Sequence, residues 1–388
     1  MISRRCVNTL ILDVETTISN KGNPFDLTNK LVYVGLKTNK DIYTIYDLHD
    51  KHILNNIQYL IKQSNLIIGF NIKFDLHWLR KIGIDISKLQ IWDCQLAEFI
   101  LSNQTHKYPS LDDSAIKYGF APKLDIVKLN YWDKKIDTDA IPKEVLSEYL
   151  TQDLLLTQQV YEKQKEQFEN EAKGRYKLFR LQCQDLLVLE DIEYNGIVFN
   201  TKKALTKAKE VDEELESIIN EIRVQIGGVP INLASNDDVS CLLYGGIIKD
   251  DIRIPVGTFQ TGAKIGQTKY KVLTKEYTLP RLCEPIKGTE VKKGGFWEVN
   301  ETVLKRLKPS KEAKKIIQLL DRHAELAKLS GTYLKGYSKL ITNMNWEPNI
   351  LHPTLNQCVA VTGRLTSSKP NGQNADPATK LYMETRWP

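Results

Sequence analysis

The sequence predicts an α/β domain over roughly the first 170 residues and a mainly helical region after it. Two observations carry this prediction. Short apolar or alternating β-branched segments alternate with helical patterns up to about residue 120, which is typical of a sheet covered by helices. From Pro142, which suits a first helical turn, long helical patterns dominate the chain.

The predicted strands are bounded by turn-rich stretches such as SNKGNP and TNK. They cover Val7–Val14, Leu31–Leu36, Asp41–Tyr46, Leu66–Phe70 and Ile91–Asp93. The predicted helices of this part cover residues 50–63, KFDLHWLRKIG, Cys94–Leu101 and SLDDSAIKYG. We therefore expect a mostly covered sheet.

The later helices are predicted at residues 142–170, 175–194, 202–226, 301–307 and 310–342. The polar stretch KQKEQFENEAKG places a domain boundary near residues 165–175. Residues 245–300 are rich in Gly, Lys, Thr and Tyr and contain short β-like pieces. The predicted domains are therefore 1–170, 171–345 with an insert at about 245–300, and 346–388.

Composition excludes several classes of protein. The chain has 388 residues, of which 41% are hydrophobic and 26% charged, as in ordinary globular proteins. No apolar run approaches the ~18 residues of a membrane helix, so no membrane association is expected. Six scattered cysteines without a C-x-x-C pair argue against structural zinc and favour a reducing cytoplasm.

Charge is distributed unevenly along the chain. Residues 1–170 carry 21 Lys and Arg against 22 Asp and Glu, whereas residues 244–345 carry 20 against 10. A basic region beside a neutral one suggests a polyanionic partner for the later part, although solvated lysine-rich helix faces would give the same balance.

Two carboxylates at the end of the first strand suggest a cation site. Asp13 and Glu15 lie two residues apart in LILDVETT, and residues i and i+2 of a strand point to the same face. Carboxylates placed together repel each other unless a cation lies between them, and oxygen ligands suit Mg²⁺ or Mn²⁺.

Two further motifs follow in a fixed order. Asn71 and Asp75 lie four apart where a buried strand becomes a helix. Tyr149 and Asp153 lie four apart on a long helix and share one face. A strand D-x-E, then N-x-x-x-D, then a helical Y-x-x-x-D resemble the three motifs of the DEDD 3′–5′ exonuclease superfamily in its tyrosine subtype.

This resemblance implies a ribonuclease H-like fold and two-metal hydrolysis of a phosphodiester, with two Mg²⁺ or Mn²⁺ ions. It implies that Asp13 bridges both ions, that Glu15 and Asp153 complete one site, and that Asp75 holds the second ion. Tyr149 would orient the attacking water. The segments Trp92–Leu101 and Pro109–Gly119 resemble the polymerase-linked branch of this superfamily.

The second half resembles the thumb and the start of the palm of family A DNA polymerases. Four segments carry this resemblance: Arg180–Asn200, Pro230–Tyr244, His323–Tyr333 and His352–Asn374. The resemblance implies a single-stranded DNA 3′ end and a primer–template duplex as partners. The residues expected to contact DNA are Asn71, Lys328, Ser330, Thr332, Arg364, Asn371, Gln373 and Asn374.

The sequence departs from the family pattern at two places. Gly372 and Ala375-Asp376 stand where the family commonly has leucine and Ile-Pro, and the chain ends before the palm aspartates. We therefore expect a fragment, an interrupted gene product or half of a split polymerase whose second polypeptide carries palm and fingers. No large insert interrupts the thumb tip, so a thioredoxin-type partner is not implied.

The function expected is a proofreading 3′–5′ exonuclease and DNA-binding portion of a DNA polymerase, encoded by a phage and located in the cytoplasm of the infected bacterium. Two alternatives stay open. In one, the chain is a DNA-binding clamp with a vestigial exonuclease. In the other, it is an RNA 3′–5′ exonuclease, which would have no use for the segment from Thr362 to Asn374.

Overall fold

The computed structural model describes residues 9–45, 48, 50–123 and 126–387. The chain divides into two compact units. The first comprises Met1–Thr201 and Tyr337–Pro388, and the second comprises Lys202–Gly336.

A five-stranded mixed sheet lies at the centre of the first unit. Its strands are β1 (Thr9–Thr16), β2 (Leu31–Lys37), β3 (Ile42–Ile45), β4 (Leu66–Gly69) and β5 (Ile91–Asp93), in the spatial order β3-β2-β1-β4-β5. β1 pairs antiparallel with β2 and parallel with β4, which pairs parallel with β5. The central strands are almost fully buried, as expected for a sheet covered on both faces.

Among the described residues, the α/β part of this unit contains seven α-helices. They are α1 (Lys51–Gln63), α2 (Lys73–Lys81), α3 (Cys94–Leu101), α4 (Leu111–Lys117), α5 (Ile126–Asn130), α6 (Lys143–Asn170) and α7 (Lys173–Asn195). Side chains of Asp50, Asp93 and Ser110 accept hydrogen bonds from the first turns of α1, α3 and α4. Trp92, Phe168 and Phe179 pack together where α6 and α7 meet β5.

The C-terminal residues of the chain complete the first unit with short strands. β6 (Ile197–Phe199) pairs antiparallel with β9 (Ile350–Leu351) and with β12 (Met383–Glu384). β10 (Thr354–Asn356) and β11 (Thr366–Ser368) form a separate antiparallel pair.

The second unit is built from helices and one long hairpin. Its helices are α8 (Thr201–Gln225), α9 (Asn236–Tyr244), α10 (Glu301–Leu304) and α11 (Lys311–Lys328), which is followed by a π-helical turn (Leu329–Leu334). The next helix, α12 (Lys335–Asn343), belongs to the first unit from Tyr337 onwards. The hairpin consists of β7 (Gly246–Thr258) and β8 (Thr268–Leu279), which pair antiparallel over their whole length.

The α/β class and the long helices were predicted correctly, but three details differ. β1 extends through Glu15 to Thr16, while predicted strand residues 7, 8 and 46 lie outside the described residues. Helix 310–342 is interrupted by the π-helical turn. Residues 246–279 form two long strands where short pieces were expected, because each strand is completed by its distant partner.

Among the residues that the structure describes, no helix combines the length and apolar character needed to cross a membrane.

Candidate active site

The central strand β1 presents two carboxylates at its end. Asp13 pairs in register with Gly35 of β2, and Glu15 pairs with Tyr33. Because successive side chains alternate across a strand, Asp13 and Glu15 share one face of the sheet. Glu15 is buried and Asp13 is half-buried.

Helix α6 runs against this face and brings the third motif to it. Leu150, which is fully buried, packs against Gly35 so closely that a Cβ atom built on Gly35 would lie 2.8 Å from Leu150 Cγ. A glycine at this position therefore permits the close approach of helix and sheet. Tyr149 and Asp153 lie on the same helix, one turn apart.

Three carboxylates meet at the contact between β1 and α6. One oxygen from each of Asp13, Glu15 and Asp153 can be chosen so that all three lie within 4.8 Å of one another. Oxygen ligands at this spacing could hold a hard divalent cation. The three residues come from positions up to 140 apart, and only the resemblance to the DEDD exonucleases, not their spacing, implied this grouping.

Asp75 lies close enough to the group for the charge of Asp13 to act on it, after burial, which is the larger effect on its pKa. It lies in the first turn of α2 and is almost fully buried. It is not a member of the group of oxygens that fall within 4.8 Å.

The turn before α2 is held by a carboxylate that sequence reasoning did not select. The backbone N–H groups of Asn71 and Ile72 donate to the two oxygens of Asp93, at 3.3 and 3.0 Å. Asp93 also accepts from the N–H of Leu96 and so caps α3. Asn71 has a left-handed backbone (φ 57°), and Asp93 fixes this turn from the neighbouring strand β5.

Burial and mutual repulsion disfavour negative charge in the carboxylate group. Burial raises the pKa of Asp13 to about 8, and the charge of Asp153 adds to this effect. The pKa values of Glu15 and Asp75 are raised by burial and by the charge of Asp13. A site of this kind favours a cation, which would offset the repulsion.

One lysine offsets part of this charge. Lys123 Nζ donates to Asp153 Oδ2 at 2.8 Å and to the Tyr149 hydroxyl at 2.5 Å. Burial lowers the pKa of Lys123, but the charge of Asp153 and the Tyr149 hydroxyl outweigh burial and raise it overall. The sequence offered no signal for this contact, since Lys123 follows a helix end in an aperiodic stretch.

The Tyr149 ring is fixed on two sides. Its edge-to-face contact with Trp132 has a centroid distance of 5.8 Å, and the ammonium of Lys123 lies 4.4 Å from the Tyr149 ring centroid. Burial, followed by the charge of Asp153, raises the pKa of Tyr149, so its hydroxyl stays protonated at neutral pH.

The other face of α2 is anchored by buried charges. Glu193 of α7 accepts from Lys73 Nζ at 2.6 Å and lies 2.9 Å from His77 Nε2. The N–H of Leu355 donates to the same Glu193 carboxylate at 2.5 Å, and Lys73 donates to the Leu355 carbonyl. Glu193 therefore ties α2, which carries Asp75, to strand β10.

A cavity of about 300 Å³ opens beside this anchor. Its lining includes Asn71, Lys73, Phe74, Tyr108 and Leu355. Asn71 and Phe74 flank the start of α2, so the cavity lies next to the segment that carries Asp75.

The remaining residues predicted to contact DNA fall into two groups. Arg364, Asn371, Gln373 and Asn374 are exposed in the C-terminal part of the first unit. In the second unit, Lys328 and Thr332 are exposed at the end of α11 and in the π-helical turn. Ser330 is buried and donates to Asp212 Oδ1 at 2.7 Å, which favours a structural role for Ser330 over the predicted phosphate contact.

Two regions of the chain match sequence models of known protein families. Residues 6–169 match the sequence model described as 3′-5′ exonuclease, and residues 270–386 match the one described as DNA polymerase family A. The carboxylate group and Tyr149 all lie within the first region.

Several DNA polymerase I proteins are similar to most of the chain. The protein from Chloroflexus aurantiacus is 25% identical over 81% of this chain and 29% of its own length. The protein from Aquifex aeolicus is 24% identical over 94% of this chain and 54% of its own length. The chain thus spans from under a third to about half of these relatives.

A solved structure supports the fold. The structure described as the POL domain of Pol1 from M. smegmatis in complex with DNA primer-template and dNTP superimposes with a TM-score of 0.63 at 15% identity. The match covers 97% of this chain and 54% of that one. The sequence comparisons therefore show a 3′–5′ exonuclease domain at residues 6–169, followed by family A DNA polymerase sequence at residues 270–386, in a chain whose relatives over most of its length are DNA polymerase I proteins.

Proposed function

We propose that this chain is a divalent-metal-dependent 3′–5′ exonuclease that removes nucleotides one at a time from DNA 3′ ends and releases nucleoside 5′-monophosphates. The observation that carries the proposal is the group of Asp13, Glu15 and Asp153, whose ligand oxygens lie within 4.8 Å of one another.

The donor set fits Mg²⁺ or Mn²⁺. All the candidate ligands are carboxylate oxygens, which these hard cations prefer to the nitrogen and sulfur ligands of zinc sites. We propose two ions, one held by Asp13, Glu15 and Asp153 and a second by Asp13 and Asp75. When bound, the ions would lower the pKa of the attacking water and offset the charge that develops on the phosphate.

The protein side chains would position and neutralise the reacting groups. The Tyr149 hydroxyl, fixed by Trp132 and Lys123, is suited to orienting the attacking water. Lys123 supplies a positive charge between Tyr149 and Asp153. That charge would compensate part of the negative charge that develops on the phosphate when water attacks.

The cavity beside Asn71 offers a path for the single-stranded 3′ end. Phe74 and Tyr108 supply ring surfaces on which bases could stack. Contacts of this kind hardly depend on base identity, as a proofreading enzyme requires. Arg364 and the exposed Asn371, Gln373 and Asn374 would contact the duplex, as donors suited to minor-groove and phosphate acceptors.

The experiment that tests the proposal is digestion of a 3′-labelled DNA single strand by the purified chain. We expect labelled mononucleotide to be released first with Mg²⁺ or Mn²⁺, and no release with EDTA. A 5′-labelled copy should yield a ladder that shortens from the 3′ end.

Two other outcomes would contradict the proposal, and each would favour a different function. Mn²⁺ that fails to bind in a calorimetric titration, together with no digestion, would indicate a DNA-binding clamp with a vestigial exonuclease. Faster digestion of an RNA strand of the same sequence than of the DNA strand would indicate an RNA exonuclease.

A further inference from the structure

The hairpin β7–β8 is the longest exposed element of the second unit. Its strands contain 13 and 12 residues, so the ribbon is ~40 Å long at ~3.3 Å per residue. Only its base is buried, through Ile248 and Leu279. From residue 252 to residue 273 nearly every side chain is exposed. We call residues 252–273 the distal half.

Charge divides the hairpin into two parts. The base contains Asp250, Asp251 and Glu276, and Glu276 pairs with Lys249 at 2.9 Å.

The distal half contains no Asp or Glu at all. Its four cations are Arg253, Lys264, Lys269 and Lys271. The distal half is therefore a positively charged ribbon without internal compensation.

The strand register places Lys269 and Lys271 on one face, together with Lys275 of the base, while Arg253 pairs with Val272 and lies on the other face. Residues of β8 alternate in direction, so Lys269, Lys271 and Lys275 lie on the same face at spacings of ~7 Å or multiples of it. Ile254 lies directly opposite Lys271, and Ile252 lies opposite Leu273. The face thus combines a row of ammonium groups with apolar side chains.

We propose that the distal half of the hairpin is a DNA-binding arm that contacts the phosphate backbone of duplex DNA. Four uncompensated cations match a polyanion, and a two-stranded ribbon is narrow enough to enter the ~12 Å major groove. The exposed apolar residues would contact sugars and base edges. The inference rests on the proposed function only in that the chain acts on DNA, since it concerns a surface outside the nuclease site.

The test is fluorescence anisotropy of the whole chain with a fluorescein-labelled duplex of ~20 base pairs, two helical turns. EDTA is present so that no strand is digested. Lys269→Ala with Lys271→Ala should weaken binding at ~50 mM salt and make the plot of log affinity against log salt shallower by about 1.8, because each lost phosphate contact removes ~0.9.

The matched control is Lys249→Ala with Lys305→Ala, which removes the same charge. Both lysines are exposed in the second unit and already paired, Lys249 with Glu276 and Lys305 with Glu301. This variant should leave the salt dependence close to that of the parent chain. An equal loss in both variants would overturn the proposal, because it would reflect net charge alone.

A second variant removes the whole arm. Asp251 and Thr274 are paired across the hairpin, so an Asn-Gly turn can join them in place of residues 252–273. We expect the salt dependence to become shallower by about 3.6, for four contacts. The proposal would be overturned if the parent chain did not bind the duplex, or if both arm variants bound it as tightly as the parent. Either result would point to a protein partner for the apolar residues.

The nuclease assay separates the two proposals. The arm variants should digest a short single strand at the parental rate, because the carboxylate group is unchanged. A chain that binds duplex through the arm but digests nothing would refute the proposed exonuclease alone.

Discussion

Lys123 Nζ lies 2.8 Å from Asp153 Oδ2, so an ammonium contacts one of the three clustered carboxylates. Asp153 is therefore shared between an internal cation and the place where a metal would bind. The internal cation and a metal ion would compete electrostatically, and this competition can be measured.

Lys123→Met should strengthen Mn²⁺ binding and slow cleavage. The methionine keeps the length of the side chain but removes the positive charge, which we expect to tighten binding by about tenfold, or ~1.4 kcal/mol. Isothermal titration calorimetry and the rate of digestion provide the two readouts. Lys134→Met, an exposed position, should change neither, and weaker Mn²⁺ binding by Lys123→Met would contradict the competition.

Asp13→Asn combined with Glu15→Gln should abolish digestion and stabilise the metal-free protein. Burial and mutual repulsion raise the pKa values of both carboxylic acids, so their neutral amides relieve an unfavourable charge. We expect the free energy of unfolding in EDTA to rise by roughly 1–3 kcal/mol at neutral pH, measured by urea denaturation. Digestion near the parental rate would show that these residues do not hold the metal.

Tyr149→Phe should slow cleavage without loss of metal. The ring and its contact with Trp132 stay, and only the hydroxyl that we propose to orient the attacking water is removed. We expect a rate about 10²-fold lower, the scale of one positioned acid–base group. Calorimetry should give a Mn²⁺ affinity close to that of the parent. A loss as large as that caused by Asp153→Asn would show that Tyr149 acts as a ligand.

Glu193→Gln should destabilise the first unit. The substitution removes the negative charge that faces Lys73 and His77 while leaving one oxygen for the Leu355 N–H. Removing one partner of a buried ion pair costs ~3–5 kcal/mol, and the remaining hydrogen bond reduces this to about 2–4 kcal/mol. Urea denaturation measures the loss, and Glu148→Gln, at an exposed site, is the control.

Asp26 should make the stability of the first unit pH-dependent. Burial raises the pKa of its carboxyl, but hydrogen bonds from Thr28, Asn345 and Asn20 outweigh burial and lower it to about 2. Its unfolded value is ~3.9. The ionised form therefore contributes stability above pH ~4, and this contribution is lost as the pH falls towards 2.

The corresponding variant is Asp26→Asn. At neutral pH it should be less stable than the parent by about 1–2 kcal/mol, and the difference should shrink progressively below pH ~4. Thermal unfolding of the variant and of the parent chain across this pH range measures the difference in stability. A difference that is constant with pH would show that the Asp26 carboxylate has no linkage to folding.

The sequence predicted those parts of the site that depend on local periodicity. Asp13 and Glu15 share a face because strands repeat every two residues, and Tyr149 and Asp153 do so because they lie one helical turn apart. Lys123 could not be predicted, because its partner Asp153 lies 30 residues away and neither position shows a pattern that pairs them.

Long-range packing also explains the other differences between the sequence-based expectations and the structure. Asp93 appeared only as the last residue of a short strand, yet its two oxygens hold the turn before α2 and cap α3. The β7–β8 hairpin combines two segments that are each weakly alternating, and only their pairing makes a continuous ribbon. Ser330 was selected for its hydroxyl, which Asp212 engages inside the second unit.

Leu150 packs so closely against Gly35 that no side chain fits between them. The spacing between the sheet and α6 therefore depends on residue 35 having no Cβ atom. An added Cβ would push α6 outwards and carry Asp153 away from Asp13, while most of the buried core could adapt by small shifts. Activity at this site is therefore more fragile than the fold that supports it. Variants selected only for solubility or thermal resistance could retain every secondary-structure element and still lose the proposed nuclease activity.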